Sequence, residues 1–214
     1  MRLRNIKGAS DIVNSSTYVI KNPSIYKGKW KSVFNNDNLI YVEIGVGRGK
    51  FIIDNAIVNN NINYIGIEKY PSVMIKAVKR LEKLKLNNIK LICMDALNIE
   101  DVFSKEIDMI LLNFSDPWPK KKHHKRRLTS IMFLKKYDKI FKSNCHIKMK
   151  TDNIDLFNYS KEVLCNYGYK LIVVTNDLHR ENIENITTEY EDRFVNRGMN
   201  INYLEGVKEN ETNS

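Results

Sequence analysis

The chain has 214 residues, 43% of them hydrophobic, with only nine Gly and four Pro, which suits one folded domain with a sizeable core and excludes a second full domain. Lys and Arg total 35 against 25 Asp and Glu, a net charge of +10 that favours a polyanionic partner without separating nucleic acid from a membrane surface or simple solubility. No apolar run approaches the roughly 20 residues of a membrane span, and MRLRNIKGAS lacks the apolar stretch of a secretory signal, so the expected compartment is the cytoplasm.

Residues 1–38 show no clear element, and Arg2, Arg4 and Lys7 suit either a basic arm laid on RNA or a solvated terminus. From residue 39 onward, short apolar runs alternate with amphipathic stretches, the pattern of parallel strands separated by helices. The first expected strand, Leu39–Ile44, runs through Glu43 into Gly45-Val46-Gly47-Arg48-Gly49, and a helix is expected over Lys50–Val58. Alternate glycines let a backbone approach a ligand closely. A dinucleotide fingerprint requires G-x-G-x-x-G and a phosphate loop G-x-x-x-x-G-K-[ST], and this turn is neither. Glu43 beside it is ill placed for a pyrophosphate and well placed for a cationic or amine-bearing ligand.

Asn59–Asn63 reads as a surface turn before a strand over Tyr64–Ile67, which delivers Glu68 at its end, 19 positions beyond Gly49, where an acidic residue takes ribose hydroxyls in such folds. A helix is expected from Pro71, with Val73, Met74, Ala77, Val78, Leu81 and Leu84 on one side as a packing stripe. The strand Ile89–Met94 then delivers Asp95, followed by Ala96. Any one of Glu43, Glu68 and Asp95 also reads as a cap of the helix that follows it. All three at successive strand ends of one open sheet converge on a single crevice.

The strand Ile107–Asn113 runs into Phe114-Ser115-Asp116-Pro117-Trp118-Pro119, after which Lys120, Lys121, Lys122, Lys125, Arg126 and Arg127 fall within eight positions without an intervening acid. Trp118 reads either as a wall of the ligand site or as a buried structural Trp. Adjacent His123 and His124 suit an exposed loop, and Cys93, Cys145 and Cys165 are widely separated, so no metal site is expected. A helix over Leu128–Phe141, a strand over Cys145–Lys150, a helix over Asp152–Tyr167 and a strand over Lys170–Val174 follow. Residues 188–194 pass on composition as an exposed strand, and residues 205–214 as a polar, frayed tail. The expected architecture is a single α/β domain over residues 39–204, an open, mostly parallel, doubly wound sheet that binds ligands beyond the carboxyl ends of its strands.

This set of acceptors resembles the Rossmann-like class I S-adenosylmethionine-dependent methyltransferases. The stretch Asn113 to Leu128, NFSDPWPKKKHHKRRL, resembles the signature of the tRNA (guanine-N7-)-methyltransferases. Glu43-Ile44-Gly45, Gly66-Ile67-Glu68, Asp95-Ala96, Lys150-Thr151-Asp152 and the segment Thr188 to Phe194 occur in that family's order and near its spacing. Ser115 departs from it, since many members carry Pro there. The resemblance implies methyl transfer from S-adenosyl-L-methionine, leaving S-adenosyl-L-homocysteine, to a guanosine in the variable loop of tRNA. It implies cofactor contact at Glu43, Gly45, Gly47, Glu68, Asp95, Ala96 and Asp116, and substrate contact at Lys120, Asp152, Thr188, Glu189, Tyr190 and Glu191. Lys122, His123, His124, Lys125, Arg126 and Arg127 are expected on the RNA backbone. The partner is then tRNA, bound by a monomer or homodimer, with no membrane and no metal.

Guanine N7 carries a free lone pair, so its methylation needs no general base. It needs alignment and stabilisation of the charge that spreads into the purine. Asp116 is the expected catalytic residue, accepting from the guanine N1–H and exocyclic amine, with the base turned out of its stack. The rival readings are another class I methyltransferase with a different acceptor atom, and a non-catalytic RNA-binding protein on the same fold.

Overall fold

The computed structural model describes residues 6–209. Among these residues seven strands form one sheet in the order β3-β2-β1-β4-β5-β7-β6: β1 Leu39–Ile44, β2 Ile62–Glu68, β3 Ile89–Cys93, β4 Met109–Asn113, β5 Cys145–Thr151, β6 Lys170–Thr175 and β7 Asn202–Lys208. The pairings among β1 to β5 are parallel, whereas β7 lies antiparallel between β5 and β6. Among the described residues the helices are α1 Ala9–Ser15, α2 Trp30–Phe34, α3 Lys50–Val58, α4 Pro71–Leu84, α5 Ile99–Val102, α6 Ile131–Ile140, α7 Ile154–Asn166 and α8 Glu189–Val195.

Both faces of the sheet are covered around β1, β2 and β4, as the near-continuously buried β2 and β4 require, whereas the edge strand β6 leaves Ile172 and Val174 exposed. In β1 the alternation sends Ile40, Val42 and Ile44 into the core shared with α2, α5, α6 and α7, while α1, α3 and α4 cover the other face through Val13, Ile52 and Met74. The chain winds outward from β1 in one direction through β2 and β3 and in the other through β4 and β5, so the crevice beyond their carboxyl ends is the binding place of such a sheet.

Several expected boundaries move, each for a local reason. Residues 205–208 are not tail but the second half of β7, where Glu205 meets Tyr203 Oη at 2.9 Å and His146 Nε2 at 2.6 Å. The strand is held by backbone pairing with β5 and β6 and by buried Tyr203 and Leu204, and these two partners satisfy the Glu205 carboxylate within it. Ile62 and Asn63 belong to β2 rather than to a surface turn, Asn63 being buried and hydrogen-bonded to Asn36. Ile107 pairs with Phe141 in an isolated bridge ahead of β4, and α6 begins only after Ser130.

The amino-terminal segment, as far as it is described, is packed rather than free. Val13 is buried against α4, and Trp30 is fully buried with its indole N–H on the Val102 carbonyl at 2.8 Å. Lys7 is exposed; Arg2 and Arg4 lie outside the described residues.

Candidate active site

The parallel strands bring Glu43, Glu68, Asp95 and Asn113 to one edge of the sheet. The turn after β1 folds back on β2, with the Gly45 and Val46 N–H groups both on the Ile67 carbonyl. Gly45, Gly47 and Gly49 all take positive φ, at 86°, 58° and 83°. A Cβ at Gly45 or Gly47 would face open space, whereas one at Gly49 would lie 2.5 Å from the Ala77 Cβ. The first two glycines therefore shape the crevice, and the third lets α3 start against α4.

Glu43 is buried, takes a hydrogen bond from Asn113 Nδ2 at 2.9 Å on Oε1, and leaves Oε2 buried without a partner among the described residues. Burial pushes its carboxyl up to about 7, against the pull of Asn113 and the nearby Lys150. Glu68 accepts from the Gly47 N–H at 3.1 Å and the Tyr70 N–H at 3.0 Å. Burial raises its pKa as well; those N–H groups oppose the rise and the negative charge of Asp116 adds to it. Asp95 does serve as a cap, accepting from the Leu97 N–H at 3.0 Å, while Lys69 holds its other oxygen at 2.6 Å. For Asp95 the burial cost is outweighed by these two donors, and its carboxyl sits below the usual range.

One lobe of the crevice is lined by Gly45, Glu68, Asp95, Ala96, Asp116 and Trp118. The adjoining lobe is lined by Glu43, Gly47, Phe114, Thr188, Glu189 and Tyr190. A stretch lined by Glu68, Val73, Phe114, Ser115 and Asp116 joins them, so the loop after β4 borders both. Its first amide, Phe114 N–H, continues the ladder onto the Lys150 carbonyl at 2.9 Å, and Phe114 and Trp118 on either side of Asp116 take φ of 50° and 42°. Left-handed backbone at two aromatic residues costs free energy that the surrounding contacts must hold. Trp118 is half-buried, with the Arg126 guanidinium 4.9 Å from its ring centre and His123 at 5.8 Å, so it forms a wall of the crevice rather than a core residue.

Residues 188–194 form a capped helix, not the exposed strand that composition suggests. Thr188 caps α8 by accepting from the Glu191 N–H at 2.8 Å, and Glu191 accepts in return from the Thr188 N–H at 3.2 Å. The T-x-x-E spacing is the sequence signal that reveals such a start. Glu191 is fully buried and its two oxygens are taken by Lys150, His179, Asn185 and Thr188. Tyr190 packs between Phe114 at 5.0 Å and Phe194 at 4.3 Å, near Asp152.

Sequence reasoning missed two cations that fasten this segment. Lys50, standing where a dinucleotide turn has glycine, donates to the Thr187 carbonyl and hydroxyl at 3.0 and 2.8 Å and pairs with Asp192 at 3.4 Å. Buried Lys150 holds Glu191 at 3.1 Å, the Ile186 carbonyl at 2.8 Å and Asn185; burial lowers its pKa, with Glu191 opposing. Lys120, Lys121, Lys122, Lys125 and Arg126 are exposed and His123 and His124 half-exposed on a short 3-10 stretch. Arg127 departs from the expectation of an RNA contact: it is 4% exposed and turned inward onto the loop. Among the described residues no group of His, Cys, Asp or Glu is placed to hold a metal, and no helix is long and apolar enough to cross a membrane.

Residues 37–204 match the model of a family described as putative methyltransferase. A curated relative from Lachnoclostridium phytofermentans, named tRNA (guanine-N(7)-)-methyltransferase, is 48% identical over 99% of this chain and 100% of its own length. One of the same name from Bacillus subtilis is 47% identical over 94% of this chain and 96% of its own. Among solved structures, an antibiotic-related methyltransferase aligns with a TM-score of 0.64 at 18% identity, covering 85% of this chain and 93% of that one. A variant of the 16S rRNA (adenine(1408)-N(1))-methyltransferase from Catenulisporales acidiphilia, with cosubstrate SAM, gives 0.61 at 14%, covering 87% and 93%. The last two are likenesses of fold alone.

Proposed function

Because the chain belongs to the tRNA (guanine-N(7)-)-methyltransferase family, with 48% identity to a relative along nearly its whole length, we infer that it methylates N7 of a guanosine in tRNA with S-adenosylmethionine as donor. The observation that carries the geometric side of this reading is that Asp116 and Glu68 line one crevice beyond the ends of β4 and β2, with the unpartnered Glu43 oxygen buried beside it. An orphaned buried carboxylate oxygen and two glycines facing open space fit a ligand that carries an amine and closely approaches backbone. Bound there, S-adenosylmethionine supplies an electrophilic methyl on its sulfonium and leaves as S-adenosylhomocysteine.

The residues divide the remaining work. Glu43 receives the amine, Glu68 the ribose hydroxyls, and Asp95 and Ala96 the adenine end. Asp116 accepts from the guanine N1–H and exocyclic amine, which fixes N7 toward the methyl and offsets the positive charge that develops on the purine. No proton has to be removed from N7, so no general base is assigned. Lys120, Asp152 and the Thr188–Tyr190 stretch surround the nucleoside, with Glu191 holding that stretch from below. The exposed cations after Lys120 take backbone phosphates of tRNA. The methylated guanosine lies in the variable loop and is turned out of its stack. The enzyme works in the cytoplasm, as a monomer or homodimer.

Purified protein incubated with labelled S-adenosylmethionine and unmodified tRNA should give 7-methylguanosine in a nuclease digest. Label in another nucleoside, or none, would overturn the assignment of the acceptor.

A further inference from the structure

Arg127 lies in a run of cations yet shows almost none of its surface. Its Nε donates to the Pro117 carbonyl at 2.8 Å and its Nη2 reaches the Trp118 carbonyl at a longer 3.4 Å. The guanidinium lies 4.3 Å from the centre of the Tyr159 ring on α7. The next residues are fastened to the same helix, Thr129 Oγ1 standing 2.7 Å from Ser160 Oγ. The two carbonyls it holds belong to the residues that follow Asp116, one of them Trp118 in left-handed backbone. The helix it stacks on begins at Ile154, shortly after Asp152.

The geometry points to Arg127 as a positioning residue for methyl transfer rather than a phosphate ligand: it clamps the Asp116–Trp118 loop to α7 and so fixes Asp116 relative to Asp152. A planar fork reaches two successive carbonyls while stacking on an aromatic ring; a lysine ammonium offers one point of charge and no plane. The clamp also supplies interactions that hold Trp118 against its backbone cost. This inference rests on the methyltransferase reading above.

The test compares Arg127→Gln, Arg127→Lys and Tyr159→Leu by steady-state kinetics on tRNA, by direct tRNA binding across a salt series, and by thermal melting. Arg127→Gln is expected to lower kcat by about tenfold or more, as small misplacements of reacting groups do, while tRNA affinity stays within about threefold and the salt slope is unchanged. Arg127→Lys, with its charge intact, should not restore kcat, and Tyr159→Leu should lower it in the same direction. The idea is overturned if Arg127→Gln weakens tRNA binding with a slope reduced by about 0.9 and kcat intact, if Arg127→Lys is fully active, or if melting falls while kcat holds. Should Arg127→Gln fail to fold, Tyr159→Leu is judged by the same outcomes. Absence of 7-methylguanosine with the unaltered protein would instead overturn the functional reading itself.

Discussion

Two carboxylates of the crevice differ in what surrounds them, and that difference assigns their tests. Asp116 is exposed on a strained loop, so its removal should leave the fold and most of the tRNA interface in place. Asp116→Ala is expected to lower kcat by about a hundredfold with tRNA affinity changed by only a few fold; equal losses in both would refute its assignment to the reacting base. Glu43 is enclosed, and its carboxyl is raised from 4.5 to about 7. A carboxyl whose pKa is higher in the folded state favours folding while both states are protonated, and that advantage disappears as pH rises from about 4.5 through about 7. Glu43→Gln, neutral throughout, should therefore gain on the unaltered protein over this window, by roughly 3 kcal/mol in total. Urea unfolding at pH 5, 6, 7 and 8 measures the gap, and a pH-independent gap would show that Glu43 does not titrate there. Both residues are legible in sequence because each stands at or just beyond a strand end. The inward turn of Arg127 is not, because a run of like charges carries no periodicity from which burial can be read.

At the scale of elements, the turn after β1 serves ligand and packing at once. Its alternating glycines are plain in the sequence, but the meeting of Gly49 with Ala77 across the α3–α4 interface exists only in three dimensions. Gly49→Ala places a Cβ 2.5 Å from another side chain in a backbone with φ of 83°, so overpacking and left-handed strain add. A loss of roughly 2 to 4 kcal/mol is expected, seen as a lower urea midpoint with unchanged slope. Gly47→Ala, which meets nothing, should lose less stability and more cofactor affinity. The other elements are legible in proportion to their apolar patterning. The Pro71 helix can be read because tertiary packing and sequence period agree, and Lys50–Val58 because it follows the glycine turn at a strand end. By contrast, β7 and α8 each carry a glutamate, Glu205 and Glu191, with a partner distant in sequence, His146 and Lys150, and no apolar period announces either pairing.

For the whole molecule, the question is whether the net charge of +10 acts as a sum or through its placement. A sum would steer tRNA toward any face; placement beside the crevice would set the register in which a guanosine reaches Asp116. Lys121, Lys122 and Lys125 are exposed on the 3-10 stretch next to the loop, whereas Lys76, Lys79 and Lys83 are exposed on α4. Replacing either trio with Ala removes the same amount of charge. If placement governs, the first replacement should flatten the dependence of log affinity on log salt by about 0.7 to 0.9 for each phosphate no longer neutralised, and its penalty should shrink as salt rises. The second should leave that slope near its original value and act only through a weak, uniformly screened change in on-rate. Equal slopes for the two variants would mean that the charge is a diffuse attractor, and the orientation of tRNA would then have to come from Lys120, Asp152 and the segment capped by Thr188. Unequal slopes would tie the salt-dependent part of recognition to the Lys121–Arg126 stretch, adjoining the wall of the crevice that Trp118 forms.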